Sequence, residues 1–421
     1  MLTTPDKSFG SHASFGKYRF LAEIGFGGMS EIYLTVTQGG LAGFQKLVAL
    51  KLLRRDLAED EEFRRMFLDE ARLAARLNHP NVVQTYDVGE DHGRYYIAME
   101  YLEGQSYERI RRTPNSARLF PLELQIRMLS QVLCGLHYAH ALADYDGTPI
   151  SIVHRDVTPS NVLITYDGQV KLIDFGIAKV LESVHHTQVG VLKGKARYMA
   201  PEQVAGAPID RRADLYSVGV MLWETLAGKH IWIGLSEPEV IKRSGEPPPP
   251  PTDAPPVLRQ ICGKAMAPDP DDRYPTAEAL RDDLELFLAQ HITPSRERDL
   301  GAAVSELFGE ERARIRQIID AQLKSSGPGE RLPAFRDLRI APSGNPFDTP
   351  VAANPYRHAA GSDPGAAVSG DARGGAPGVA PGDGPGDGPG DGEDAGAHSE
   401  QLPAPAAFPP ASRWRLYAIA G

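Results

Sequence analysis

The sequence has few cysteines, no excess of positive charge and no long apolar segment. Its 421 residues include only two cysteines, Cys134 and Cys262, too few for a disulfide scaffold or a cysteine-bound zinc site. The formal net charge of −10 argues against a nucleic-acid-binding chain, whose domain is usually basic. Because no run of about 18 apolar residues occurs and no secretory signal opens the chain, we expect a cytoplasmic protein without a complete membrane span.

Glycine and proline are concentrated in one stretch near the end of the chain. Residues 341–412 consist largely of Pro, Gly, Ala and Asp, which predicts a disordered linker. We also predict a flexible N-terminus over 1–17 and a helical extension over 293–340. In that extension, residues 300–323 place apolar side chains at helical spacing, as one amphipathic helix or two. The spacing leaves open whether this stripe packs on the same chain, which is the simpler expectation, or on a partner.

The residues from 18 to 292 divide into a strand-rich part and a helix-rich part. Residues 18–98 contain short β-branched or aromatic runs and one helical pattern over 61–77. The predicted strands are 18–24, 31–36, 47–52, 82–88 and 95–99. Residues 105–292 carry longer helical patterns, including 122–140, 214–226 and 275–290. The predicted fold class is α+β, with a small β-rich lobe before a larger helical lobe.

A glycine-rich turn lies between the first two predicted strands. Its sequence is Ile24-Gly25-Phe26-Gly27-Gly28-Met29-Ser30-Glu31-Ile32. Glycines without Cβ atoms let backbone N–H groups approach phosphate oxygens closely. A strand follows the glycines where a dinucleotide-binding motif requires a helix, so that motif is disfavoured. Alone, the turn is compatible with phosphate binding and with an ordinary hairpin.

A lysine and a glutamate form the second candidate pair. Lys51 ends the apolar run Val48-Ala49-Leu50, and Glu70 lies on the inward face of the predicted helix. Because a buried lysine is costly unless it is paired, Glu70 would compensate its charge and aim the ammonium at phosphates. An exposed lysine and a solvated glutamate are the alternative if the two stood alone.

Three further motifs follow in order along the chain. They are His154-Arg155-Asp156-Val157-Thr158-Pro159-Ser160-Asn161, then Asp174-Phe175-Gly176, then Ala200-Pro201-Glu202. With the glycine turn and Lys51, they make the sequence resemble the protein kinase superfamily over about residues 18–290. The glycine turn and the segment HPNVV at 79–83 resemble bacterial receptor-type serine/threonine kinases most.

This resemblance implies a bilobal protein kinase fold over 18–292, with the N-lobe at 18–98, a hinge at 99–104 and the C-lobe at 105–292. It implies ATP and Mg²⁺, because the transferred phosphoryl group carries charge that needs cations and fixed dipoles. Lys51, paired with Glu70, would bind the phosphates. Asp156 would accept or orient the proton of the acceptor hydroxyl, and Asn161 and Asp174 would bind Mg²⁺. The adenine would lie among Ile24, Ile32, Ala49 and Leu163, with Met99 as gatekeeper and the backbone of Glu100 and Leu102 along its edge. Asp214 would brace the catalytic loop, and Glu202 with Arg273 would form a structural ion pair.

Three residues depart from the family pattern. Ser30 replaces the third glycine, which is a mild change because a small residue still permits a tight turn. Thr158 stands where most serine/threonine kinases have a lysine, and Lys195 stands where they have a threonine. We hypothesise that the two groups have exchanged places, with Lys195 restoring the charge beside Asp156. Loss of both contacts and a slow enzyme is the rival interpretation, and the change weakens the inference about the acceptor residue.

Regulation and partners are also implied by the resemblance. Arg155 is placed to pair with a phosphate on the activation segment, and Thr187 is our candidate for that phosphate. We expect protein substrates, including the chain itself, with a nucleotide-binding pseudokinase scaffold as the alternative function. A homodimer is a further expectation. Residues 413–421 are either a natural end or the start of a membrane-proximal segment tethered to the inner face of the cell membrane.

Overall fold

The computed structural model describes residues 14–38, 45–175, 196–291, 298–324 and 332–334. Several predictions concern other residues. They include the N-terminus before residue 14, the linker over 341–412, the segment 413–421, and Gly176, Thr187 and Lys195.

The N-terminal lobe is a six-stranded antiparallel sheet with a helix packed on one face. The elements are β1 (Ser14–Phe15), β2 (Tyr18–Phe26), β3 (Ser30–Thr37), β4 (Leu47–Leu53), α1 (Glu61–Ala74), β5 (Thr85–Asp91) and β6 (Arg94–Glu100). The strand order in the sheet is β1-β2-β3-β4-β6-β5. Phe67 and Ala71 of α1 pack against Leu53 and Ile97 of the sheet, so burial of one helical face fixes the helix there.

Helix α1 begins at the predicted residue but ends earlier than predicted. The side chain of Asp60 accepts a hydrogen bond from the Glu62 N–H, which caps the first turn. We predicted that the helix would continue to residue 77, but it ends at Ala74. Leu77 instead closes a tighter turn by donating its N–H to Ala74 O, and its side chain is buried in a core cluster with Phe175.

One predicted strand begins later than expected. We predicted a strand over 82–88, and the structure has β5 at Thr85–Asp91. Val82 and Val83 contact the other lobe instead: Val82 forms an isolated bridge with Leu172, and the Val83 N–H donates to Leu172 O at 2.9 Å. The first residues of the apolar run therefore contact the other lobe, and only the later ones join the N-lobe sheet. A count of β-branched residues does not distinguish these two kinds of contact.

The C-terminal lobe is helical apart from a small sheet near the cleft. Its helices are α2 (Tyr107–Arg112), α3 (Ser116–Leu119), α4 (Leu122–His140), α5 (Pro201–Val204), α6 (Arg212–Ala227), α7 (Glu237–Arg243), α8 (Pro256–Ala265) and α9 (Ala277–His291). The sheet has the order β7 (Gly104–Ser106), β8 (Val162–Thr165) and β9 (Val170–Leu172). Every residue of α6 from Ala213 to Leu226 is buried, so this helix is the centre of the lobe.

The predicted helical extension is a single long helix, α10 (Arg298–Lys324), with a kink at Phe308, whose φ of −132° is not helical. Leu300, Val304 and Phe308 are buried in the C-lobe core. Ile315, Ile318, Ile319 and Leu323 pack on a cluster of the N-lobe sheet. The apolar stripe therefore packs on its own chain and contacts both lobes. Among the described residues, none of the helices combines the length and apolar character of a membrane crossing.

Candidate active site

Three charged side chains from distant parts of the sequence meet in the cleft between the lobes. Lys51 Nζ, on β4, lies 2.6 Å from Glu70 Oε1 on α1 and 2.9 Å from Asp174 Oδ1 after β9. Burial acts to lower the pKa of Lys51, but the charges of Asp174 and Glu70 outweigh it and hold this pKa above its usual value. The ammonium is therefore a fixed positive charge in a shielded site.

Strand register and helical spacing place these groups. Lys51 is opposite Ile32 of β3 and Ile97 of β6, so the three side chains share one face of the sheet. Glu70 follows Met66 and Phe67, which are buried, by one helical turn, so it lies on the face of α1 that packs on that sheet.

The predicted catalytic aspartate is held by a neighbouring amide. Asn161 Nδ2 lies 2.8 Å from Asp156 Oδ2 and 2.8 Å from Asp156 O, and both residues are buried. Because both donations come from the amide nitrogen, Asn161 Oδ1 is left as an oxygen acceptor. This arrangement orients the carboxylate of Asp156 and presents a hard ligand beside it.

Asp214 of α6 supports the same loop from below. Its carboxylate accepts the N–H groups of His154 at 2.8 Å and Arg155 at 2.7 Å, and it lies 2.8 Å from His140 Nε2. Arg155 and Asp174 both have positive φ, 65° and 56°, which non-glycine residues adopt rarely. The bracing role that we expected for Asp214 is confirmed by these hydrogen bonds, and two residues of the site adopt this unusual backbone conformation.

The glycine-rich turn forms a tight hairpin between β2 and β3. The Gly27 N–H donates to Ser30 O at 2.8 Å, and Met29 O accepts the N–H of Arg54. Nothing lies within 4 Å of the position that a Cβ would take at Gly28, so the backbone there is open to an approaching group. Ser30, the residue that replaces a glycine, is buried and forms the first position of β3 without a break in the hairpin.

Three of the predicted adenine-contacting residues, Ile32, Ala49 and Met99, lie on the same sheet face as Lys51. Ala49 is opposite Leu34 and Met99, and Ile32 is opposite Lys51. Opposed residues share a face of the sheet, and Ala49 and Lys51 are two positions apart, so all five side chains are on one face. Leu163, on β8, is half-buried, as are Ile24 and Leu102. Ile24 packs on the cluster that helix α10 also contacts. Gly25 is opposite Ile32, and Phe26 is exposed at the end of β2.

The side-chain oxygens of Asn161 and Asp174 suit a hard cation of the kind that phosphates also bind. The Ile173 N–H donates to Asn161 O at 3.0 Å, which brings Asn161 next to Asp174. Within the described ranges, no group of three or more His, Cys, Asp or Glu side chains could hold a metal ion alone. A cation here would take two protein oxygens and complete its shell with phosphates and water, which is the usual situation for Mg²⁺.

Two contacts near the site were not anticipated from the sequence. The Glu100 side chain accepts a hydrogen bond from Lys171 at 2.7 Å and another from the Gln84 N–H at 2.8 Å, so it links β6 to the C-lobe. Phe175 packs on His154, with ring centroids 4.4 Å apart, and its core cluster includes Leu73 of α1. No local pattern indicates either contact, because the partners are far apart in sequence.

The segment after the glycine of the Asp174 motif is partly described. Gln203 donates to Arg155 O at 3.0 Å, Tyr198 donates to Glu224 at 2.8 Å, and Glu202 pairs with Arg273 at 2.7 and 2.8 Å. The expected structural ion pair is therefore present. These bonds attach the Ala200-Pro201-Glu202 segment to the catalytic loop and to α6.

Of the two residues in the predicted exchange, the structure describes Thr158 but not Lys195. Thr158 Oγ1 lies 2.8 Å from Ser160 Oγ, and its residue is buried. Lys195 and Thr187 lie outside the described residues, so the exchange and the phosphorylation site stay predictions. Arg155 Nε is buried and has no hydrogen-bond partner among the residues that the structure describes.

Comparisons with known proteins show which family the chain is similar to. The protein kinase domain matches residues 18–284. The chain is 43% identical over 304 residues to tyrosine-protein kinase MasK of Myxococcus xanthus, covering 71% of this chain and 47% of that protein. It is 34% identical over 287 residues to serine/threonine-protein kinase PrkC of Bacillus subtilis, covering 67% and 42%. The chain thus spans less than half the length of either relative. The Mycobacterium tuberculosis PknI kinase domain aligns at 30% identity and TM-score 0.48, over 66% of this chain and 99% of that one.

Proposed function

The chain belongs to the protein kinase domain family, and we propose that it transfers the γ-phosphoryl group of ATP to serine or threonine hydroxyls of proteins, including its own activation segment. The observation that carries this proposal is the contact of Lys51 Nζ with Glu70 and Asp174 at 2.6 and 2.9 Å. An ammonium held in a cleft between two acids, one of them a metal ligand by type, suits a nucleotide polyphosphate with its cation.

Each residue has one task in the proposed reaction. Lys51 holds the phosphates, and Asn161 with Asp174 holds Mg²⁺, which neutralises charge on the phosphates when bound. The oxygen of the acceptor hydroxyl bonds to the γ-phosphorus while the bond from this phosphorus to the β–γ bridging oxygen breaks. Asp156 accepts the proton that the hydroxyl loses. Asn161 orients Asp156 for this transfer, and Asp214 fixes the loop that carries it.

Activation by phosphorylation is part of the proposal. The buried Nε of Arg155, which has no partner in the described part of the chain, favours an anion beside the catalytic loop. A phosphate at Thr187 is our candidate for that anion, and Lys195 would supply a cation beside Asp156. Tethering to the cytoplasmic face of a membrane and pairing of two copies remain proposals for the whole protein.

A tyrosine acceptor is the second candidate. Thr158 replaces the lysine that helps to mark serine/threonine kinases, and one relative is named a tyrosine-protein kinase. Serine and threonine remain our first choice because the relative from Bacillus subtilis is named a serine/threonine kinase. A scaffold that binds nucleotide without transfer is the remaining alternative.

One experiment separates these functions. The purified chain is incubated with ATP and Mg²⁺, its phosphorylated residues are mapped by mass spectrometry, and the Asp156→Asn variant is the control. Phosphoserine or phosphothreonine that is absent in the variant supports the proposal, and phosphotyrosine alone supports the second candidate. Nucleotide binding without any transfer would identify a scaffold and overturn the proposed reaction.

A further inference from the structure

Helix α10 contacts the segment that joins the two lobes as well as the lobes themselves. Glu103, between β6 and β7, accepts hydrogen bonds from Arg312 at 2.9 and 3.2 Å and from Arg316 at 2.5 and 2.8 Å. Tyr101, two residues earlier, packs in the same cluster as Ile315, Ile318 and Ile319 of the helix. The second half of α10 therefore contacts the connection between the lobes directly.

Helix α10 is anchored in the C-lobe up to its kink and just beyond it. The guanidinium of Arg109, on α2, lies 5.0 Å from the centre of the Phe308 ring at the kink and forms an ion pair with Glu311, three residues further on. Gly301 lies so close to the turn between β8 and β9 that an added Cβ would meet Tyr166 O at 2.7 Å and Gly168 N at 2.8 Å. A helix seated backbone to backbone cannot shift without losing this fit.

The end of α10 and residues 332–334 reach the N-lobe sheet. Arg19 of β2 donates to Gln322 O at 3.0 Å, and the Glu23 N–H donates to Pro333 O at 2.9 Å. Ala334 forms a parallel bridge with Glu23, two residues before the glycine-rich turn begins at Gly25. The contact thus ends on the strand that carries the proposed phosphate-binding turn.

From these contacts we infer that α10 with residues 332–334 is an interlobe strap that sets the angle between the lobes, and that Glu103 is a positioning residue for nucleotide binding. The kink at Phe308 lies between the half that packs in the C-lobe core and the half that packs on the N-lobe, so one helix follows both surfaces. The lobes are strapped in the arrangement in which Lys51 contacts Glu70 and Asp174. The inference rests on the proposed function, because it assigns the strap a task in holding the nucleotide site together.

Loosening the strap lowers the fraction of molecules in the assembled arrangement, and the apparent affinity for nucleotide falls by the same factor. For the full chain with Glu103→Arg, we expect the dissociation constant for ADP with Mg²⁺, measured by calorimetry, to rise about five- to tenfold. The KM for ATP should rise in parallel, with a smaller change in kcat. The double variant Arg312→Glu with Arg316→Glu should behave alike, and all three substitutions together should recover most of the affinity.

Arg314→Glu is the matched control, because Arg314 is exposed on the same helix and its ion-pair partner is Glu310, one turn away. If the strap variants bind ADP like this control, or the triple variant recovers nothing, the inference is wrong. If the unchanged chain binds no nucleotide, the proposed function fails as well.

A second pair of variants decides the matter if the charge reversals prevent folding. Gly301→Ala places a Cβ against the backbone of the β8–β9 turn, whereas Gly309→Ala, on the same helix, meets nothing within 4 Å. We expect weaker ADP binding only for Gly301→Ala. Equal affinity in the two variants would overturn the strap.

Discussion

The ammonium of Lys51 lies 2.6 Å from the carboxylate of Glu70, and this contact joins the N-lobe sheet to helix α1 inside the cleft. Because this salt bridge spans β4 and α1, a displacement of the helix away from the sheet would break it. In the proposed function, the position of α1 therefore decides whether the ammonium of Lys51 is held where a phosphate binds.

Lys51→Met should reduce the rate of phosphoryl transfer by at least about 10²-fold, the scale for losing one aligned electrostatic contact in an active site. Methionine keeps the apolar stem but removes the charge between Glu70 and Asp174. Incorporation of labelled phosphate measures the effect. Lys46→Met, at an exposed lysine over the Tyr86 ring, should leave the rate within about twofold. Equal losses in the two variants would contradict the role of Lys51.

Asp174→Asn should remove most of the metal dependence of nucleotide binding. The substitution keeps the size of the side chain but replaces a carboxylate by an amide, a weaker ligand for Mg²⁺. In calorimetric titrations with ADP, adding EDTA should weaken binding strongly for the unchanged chain and little for the variant. A variant that responds to EDTA as the unchanged chain does would place the cation elsewhere.

Asp214→Ala should lower the free energy of unfolding by about 3 kcal/mol, because it leaves the N–H groups of His154 and Arg155 and the ring of the buried His140 without their acceptor. Asp69→Ala, at an exposed carboxylate paired with Arg72, should cost less than about 1 kcal/mol. Urea unfolding measures both values. Similar midpoints for the two variants would show that Asp214 does not brace the catalytic loop.

Acid should weaken the contact between Glu103 and the strap. Partial burial acts to raise the pKa of Glu103, but hydrogen bonds from Arg316 and Arg312 outweigh it and lower this pKa from 4.5 to about 2. A carboxylate whose folded-state pKa is depressed contributes stability that is complete above pH 4.5 and is lost as the pH falls toward 2. The difference in melting temperature between the unchanged chain and Glu103→Gln should therefore be larger at pH 7 than at about pH 3. A difference that does not change with pH would mean that this carboxylate is not held by the arginines.

Much of the candidate site could be predicted from short segments. The glycine turn, Lys51 with Glu70, Asp156 with Asn161, and Asp174 are recognisable because the chemistry demands particular residue types at fixed spacing within a strand, turn or loop. The type of many elements was predictable from the spacing of their apolar residues: helix α4 has the bounds 122–140 that its periodicity predicts. The strand expected at 82–88 was misplaced, since Val82 and Val83 bind the opposite lobe.

Residue types and their spacing were enough to predict which side chains would serve phosphate, cation and acceptor in the proposed reaction, and that residues 300–323 carry an apolar stripe at helical spacing. The surface that this stripe covers became known only from the folded chain. Glu103 and Arg312 are 209 positions apart, and an apolar face has the same spacing whatever surface it packs on. Docking depends on the shape and charge of the partner surface, which are set by the folded lobes and not by the helix. The kink at Phe308 and the close approach of Gly301 to the turn between β8 and β9 follow from that packing.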